Sequence, residues 1–177
     1  MRVDFQMWRK ATWQLIKMDD KRQWDALDAV SKWLIATRSA VTLVTVYSCV
    51  IAGVLAWRDG GFSWLPWILV TLGLFIAHGT NNLLNDYTDF NRGVDKDNYF
   101  RAQYGPQPLE HGLMTKSQLV SYIAVTGLIA LAAGLVLVSI RGEATLALLA
   151  TGAFFVLFYT WPLKYIGMGE VAVIVVW

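Results

Sequence analysis

At 177 residues, with 56% hydrophobic and 16% charged and a mean hydropathy of +0.44, the chain is too apolar for an ordinary water-soluble domain and fits an integral membrane protein. The formal net charge of +2 says little beyond that, and no nucleic-acid partner is expected. One cysteine, Cys49, excludes an internal disulfide and reads as a small core residue within a span.

The first segment, 1–32, reads as amphipathic and cytoplasmic or interfacial. Residues 4–17 place Phe5, Trp8, Thr12, Leu15 and Ile16 on one helical face with Arg9, Lys10 and Lys17 off it. Asp19 and Asp20 break the run before a second amphipathic set, Trp24, Leu27, Val30 and Leu34. Trp interleaved with Lys and Arg is the composition of a helix lying on an anionic leaflet, and docking on the protein's own bundle fits equally well. Residues 1–28 are charged throughout and contain no long apolar run, so nothing there resembles a cleavable signal peptide.

The remainder, 33–177, reads as part of a transmembrane domain. Uncharged runs at 39–57, 60–85, 117–140 and 144–163 each approach or exceed the ~20 residues that cross a bilayer core. The expected fold is an all-α membrane bundle of four complete transmembrane helices plus the start of a fifth near Gly169. After Glu170 only seven residues remain, about a third of a crossing at ~1.5 Å per residue. The sequence therefore reads as the N-terminal part of a longer protein, expected to be inactive alone.

Connections 58–61 and 141–143 are short and imply antiparallel hairpins, whereas 86–116 is long, which is where function is expected. Eight Lys or Arg precede the first span and four lie between the second and third, against Arg58 and Arg141 on the opposite side. The positive-inside rule then makes the N-terminus and the 86–116 loop cytoplasmic in a multi-pass membrane protein, of the inner membrane if bacterial. Trp57, Trp64 and Trp67 form an expected aromatic belt at the outer boundary, with Trp161 at the inner one.

The stretch 81–97, NNLLNDYTDFNRGVDKD, sets carboxylates and amides at the end of a long apolar segment. If the second span stays helical to about Phe90, Asn82, Asn85, Asp86 and Asp89 share one face, and Gly93 permits a turn that returns Asp95 toward them. Hard oxygen ligands select Mg²⁺ over zinc or copper. His78 and His111 do not alter this, since neither has a second His at ligand spacing. An EF-hand fails, because the glycine comes one position early and Phe100 stands where a bidentate Glu is required. A solvated loop with helix-capping Asn and Asp accounts for Asp97 and Asn98 but poorly for the helix face. Arg92, Lys96 and Arg101 lie close by in sequence and suit an anion, or serve topology alone. An acidic face, basic neighbours and greasy surroundings fit a lipid tail ending in diphosphate.

Asn85-Asp86-Tyr87-Thr88-Asp89, followed by Gly93-Val94-Asp95, resembles the first aspartate-rich motif of the UbiA superfamily of intramembrane prenyltransferases. Gly105-Pro106-Gln107-Pro108-Leu109, Gly112-Leu113-Met114-Thr115, the segment from Tyr159 to Tyr165, and Gly167-Met168-Gly169-Glu170 resemble further motifs of that family in the same order. Arg38 falls where the family often carries Arg. Gln107 departs from the usual Arg, and the Tyr-to-Pro segment is shortened.

The resemblance implies a helical bundle with a cavity open to lipid and Mg²⁺-dependent transfer of a prenyl group from a polyprenyl diphosphate to an acceptor. Its spacing from Asp89 to Asp95 is more like the menaquinone branch, which prenylates a dihydroxynaphthoate in quinone biosynthesis, than the 4-hydroxybenzoate branch. Expected metal ligands are Asn85, Asp86, Asp89 and Asp95, with Asn85, Asp89 and Asp95 catalytic. Expected substrate contacts are Arg38, Asn81, Asn82, Lys96, Arg101, Tyr159 and Lys164. Aromatic residues of the third and fourth spans read mainly as bundle packing, and Glu170 as a helix N-terminal acid. The competing readings are a transporter-type protein and a non-catalytic binder of lipid diphosphate.

Overall fold

The computed structural model describes residues 3–94, 96, 103 and 105–176, and its described residues are helical without strands. The helices are α1 Phe5–Trp13, α2 Lys21–Ala26, α3 Ala29–Ala36, α4 Ser39–Arg58, α5 Trp64–Asn91, α6 Lys116–Arg141, α7 Glu143–Phe158 and α8 Gly169–Val176. Among the described residues, four helical stretches are long and apolar enough to cross a membrane: Ser39–Arg58, Trp64–Asn91, Lys116–Arg141 and Glu143–Ile166. The chain is thus an all-α, multi-pass membrane protein.

The expected second amphipathic set is split in two. Asp28 turns its carboxylate onto the backbone N–H groups of Val30 and Ser31, so α2 stops short of Leu27 and α3 starts afresh, each aspartate serving as an N-cap. Asp20 does the same for α2 and Asp4 for α1. The first helix ends at Trp13 rather than continuing to residue 17, because Gln14 is already extended.

The backbone forms two compact units. The first, which we call the polar unit, comprises Met1–Leu43 and Asn82–Ala124. Within it α1 lies on α3: Trp8 Nε1 donates to Asp28 at 3.0 Å, and Ser39 Oγ donates to the Ala11 carbonyl at 2.9 Å. Trp24, Leu34, Leu83, Leu113 and Leu119 are buried in its interior. The inner face of α1 thus packs on α3 and Ser39 within this unit. Val30 is not part of that core and is exposed.

The second, the apolar unit, comprises Val44–Asn81 and Val125–Trp177. Its helices approach through small residues, as membrane helices do when no hydrophobic effect drives them together. A Cβ on Gly53 would stand 2.5 Å from Trp67 Nε1, and one on Gly73 would stand 3.3 Å from Ala133 Cβ. Trp67 is therefore more than a belt residue: it is half-buried, and its indole donates to the Cys49 carbonyl at 2.8 Å. Trp57 and Trp64 remain exposed, and Cys49 is a buried core residue as expected.

The fourth span is not one regular helix to residue 163. Beyond Phe158 the chain widens into a π turn, Tyr159–Leu163, in which Trp161 has φ −137° and ψ 128°. Pro162 is the cause, because it lacks an N–H and disfavours helical geometry in the residue before it.

Candidate active site

The C-terminal end of α5 carries the polar stripe at helical spacing, and it stays helical to Asn91. Its first amide in the polar unit, Asn82 Nδ2, donates to the Thr37 carbonyl at 2.8 Å. That bond caps the end of α3 and fixes the joint between α3 and α4. At this joint sits Arg38, with φ +53°, a left-handed backbone that a non-glycine residue adopts at a cost of roughly 1 kcal/mol.

The left-handed turn accompanies a buried ion pair. Arg38 Nη2 lies 2.9 Å from Asp86 Oδ1 and Nη1 lies 3.2 Å from Oδ2, with the side chains 8% and 1% exposed. A two-pronged pair of this kind compensates the desolvation of both charges, which neither would tolerate alone. Arg38 was expected as a diphosphate contact and Asp86 as a metal ligand; the structure pairs them with each other across 48 residues. Gly105 completes the enclosure. A Cβ there would come 3.1 Å from Arg38 Cγ, and its φ of +117° is one that side chains rarely permit.

One turn along α5, Asn85 Nδ2 donates to Asp89 Oδ2 at 3.1 Å. Asp89 is fully buried and Asn85 is 9% exposed. The two side chains are a carboxylate and an amide, whose oxygens are of the kind that suits a hard divalent cation. Among the described residues, no group of three or more His, Cys, Asp or Glu is arranged to hold a metal, and the expected ligand Asp95 lies outside them, as does Arg101. Lys96 lies in an exposed turn.

The segment from Gly105 to Met114 supplies the rest of the polar unit's interior. Pro106, Gln107, Pro108, Leu109, Leu113 and Met114 are all buried. Gln107 is 3% exposed, and its Nε2 is a buried donor without a hydrogen-bond partner among the described residues. A buried donor left unmatched is costly, so this amide fits an acceptor-rich anion. The sequence marks the position only as a departure from a motif and gives no sign of the burial.

Three expected residues belong to the apolar unit. Asn81 Nδ2 donates to the Val156 carbonyl at 2.9 Å, Tyr159 closes α7 with its N–H on the Phe155 carbonyl, and Lys164 Nζ stands 5.9 Å from the centroid of the Tyr165 ring. Asp28 is the polar group that sequence reasoning missed. It receives the Trp8 indole, the Ser31 hydroxyl at 2.6 Å, and backbone N–H groups of Asp4, Val30 and Ser31. Burial alone would raise its pKa, but these donors outweigh that effect and hold the carboxyl well below the usual carboxylate range. Asp28 at the head of α3, three residues before Ser31, was the available signal.

The sequence pattern of the UbiA prenyltransferase family matches residues 46–177. The chain belongs to that family. It is 29% identical over 155 residues to the 1,4-dihydroxy-2-naphthoate octaprenyltransferase of Escherichia coli (strain K12), an alignment covering 81% of this chain and 48% of that relative. The chain thus spans about half the length of the curated relative it matches. No solved structure matches it significantly.

Proposed function

We propose that the protein containing this chain transfers a prenyl group from a polyprenyl diphosphate to an electron-rich aromatic acceptor of the dihydroxynaphthoate type, in quinone biosynthesis. The observation that carries the reading is the buried pairing of Asn85 with Asp89 beside the Arg38–Asp86 ion pair, at the end of an apolar helix. Family membership and the dihydroxynaphthoate-prenylating relative supply the reaction class.

In this reading Asn85 and Asp89, with Asp95, hold Mg²⁺. When bound, the cation supplies charge neutralisation at the departing diphosphate. Asp86 is a positioning residue: it holds the Arg38 guanidinium in one orientation so that its remaining donors face the anion. Gln107 Nε2 offers a neutral donor where an additional cation would otherwise stand. Lys96 and Arg101 are further diphosphate contacts, and Asn81 and Asn82 anchor the helix that bears the ligands. The positive-inside balance supports a cytoplasmic position for the N-terminus and for this site.

The test is Asp89→Asn in the complete protein, assayed for prenyl transfer across a Mg²⁺ titration. We expect turnover to fall by about 10²–10³-fold, the range for removing one preorganised charge-stabilising group, with expression unchanged. Turnover near that of the unaltered protein at every Mg²⁺ level would refute the assignment.

A further inference from the structure

Helix α1 has two faces with different fates. Its inner face carries Trp8 and Ala11 onto α3 and Ser39, through the indole bond to Asp28 and the hydroxyl bond from Ser39. Its outer face is a single stripe at helical spacing. Phe5, Arg9 and Trp13 follow at four-residue steps, with Gln6 and Lys10 beside them. All five are exposed, with Phe5 at 71% and Trp13 at 64%.

The height of this helix is fixed by a bond. Ser39 is the first residue of α4, which is long and apolar enough to cross a membrane, and its hydroxyl holds the last turn of α1 through the Ala11 carbonyl. This ties α1 to the first turn of α4, at the residue where the uncharged run 39–57 begins. There an aqueous setting would leave two large aromatic rings wet, whereas the headgroup boundary accommodates an aromatic body beside a cationic neighbour.

We propose that α1 is a lipid-bound brace. Phe5 and Trp13 enter the boundary between headgroups and acyl chains of an anionic leaflet, and Arg9 and Lys10 meet the headgroup phosphates. Charge complementarity selects anionic lipid, since basic side chains near such a surface are attracted to it. The brace clamps the joint at Arg38 from outside, because Ser39 is the next residue and is tied to α1. The inference concerns membrane attachment and stands whether or not the chain's protein is a prenyltransferase.

The experiment uses the whole chain in a Cys49→Ala background, reconstituted in bilayers containing phosphatidylglycerol. Nitroxide labels are placed by Phe5→Cys, Trp13→Cys or Gln6→Cys, so that one variant that fails to fold leaves two others on the same face. Ile51→Cys, 62% exposed on α4, is the lipid reference, and Glu110→Cys, on an exposed polar side chain, is the water reference. We expect labels on α1 to collide with oxygen and to lose access to a water-soluble nickel chelate, approaching the Ile51 ratio. Adding Arg9→Glu and Lys10→Glu, or replacing phosphatidylglycerol by phosphatidylcholine, shifts the ratio back toward Glu110. Nickel access equal to that at Glu110 overturns the proposal. Protection from both reagents also overturns it, because a second protein copy then covers the face. Insensitivity to lipid charge and to the charge reversals overturns the anionic commitment.

Discussion

The polar and apolar units satisfy their polar groups by opposite means. In the polar unit charged side chains are buried against designated partners: Arg38 with Asp86, and Asp28 with five donors. In the apolar unit the polar side chains bond a carbonyl or another neutral group, as Thr71 does with Trp67 and Thr80 with Thr126, while the Arg58–Asp59 pair stays exposed. Surface follows the same division. Only 6% of the apolar window in each of α6 and α7 is buried, and Leu128 and Leu148 are 65% and 73% exposed. The polar unit has an interior that protein covers, whereas the apolar unit leaves to lipid what protein does not cover. Charge is concentrated where protein can enclose and pair it, which is where chemistry on an anionic substrate is feasible.

The largest test of this contrast is removal of one member of the buried pair. Arg38→Ala leaves Asp86 charged and enclosed, and should destabilise the protein by about 3–5 kcal/mol. The apolar double variant Arg38→Met with Asp86→Leu should recover most of that loss, as read by thermal unfolding in micelles. An equal loss in both variants would show that something other than the uncompensated charge is responsible.

In the apolar unit the corresponding weak point is steric. Gly53→Val pushes a side chain into the Trp67 indole and should cost about 1–3 kcal/mol by overpacking, with the Trp67 bond to Cys49 lost. An unchanged melting temperature would mean that the helices separate freely there.

A smaller effect follows at Asp28, where the cap contributes about 0.5–2 kcal/mol. Because its folded pKa is depressed, its stabilisation is fully present above the ordinary carboxylate value of ~3.9 and is lost as pH falls below it. Unfolding midpoints measured between neutral pH and pH ~3 should therefore drop more for the unaltered protein than for Asp28→Asn. Parallel curves would remove the carboxylate from the account. The smallest expected change is at Leu148→Ala, whose side chain already faces outward; stability should move by no more than about 0.5 kcal/mol, and a larger loss would mean that protein covers this surface.

Much of this architecture was legible along the chain. The four spans follow from apolar runs, since a bilayer imposes a minimum length. The alignment of Asn82, Asn85, Asp86 and Asp89 follows from helical period alone, and so does the Asn85–Asp89 bond, four residues apart. Helix boundaries near Asp28 and Pro162 were harder. There a single side chain captures backbone donors or a ring removes one, and local capping overrides a continuing amphipathic pattern. Trp67 was misread as a pure anchor, because nothing local shows that its indole reaches a carbonyl on another helix.

The sequence by itself determined the spans, the polar face of α5 and the residue types suited to a hard cation and an anion. These depend on spacing within one helix and on transfer of apolar groups from water. Only the tertiary structure decided that Asp86 turns to Arg38, that Gln107 is enclosed, and that α1 hangs from Ser39. A buried charge or donor takes its partner from whatever the fold brings within about 3 Å, and that neighbour is set by chain crossings, not by position in the sequence.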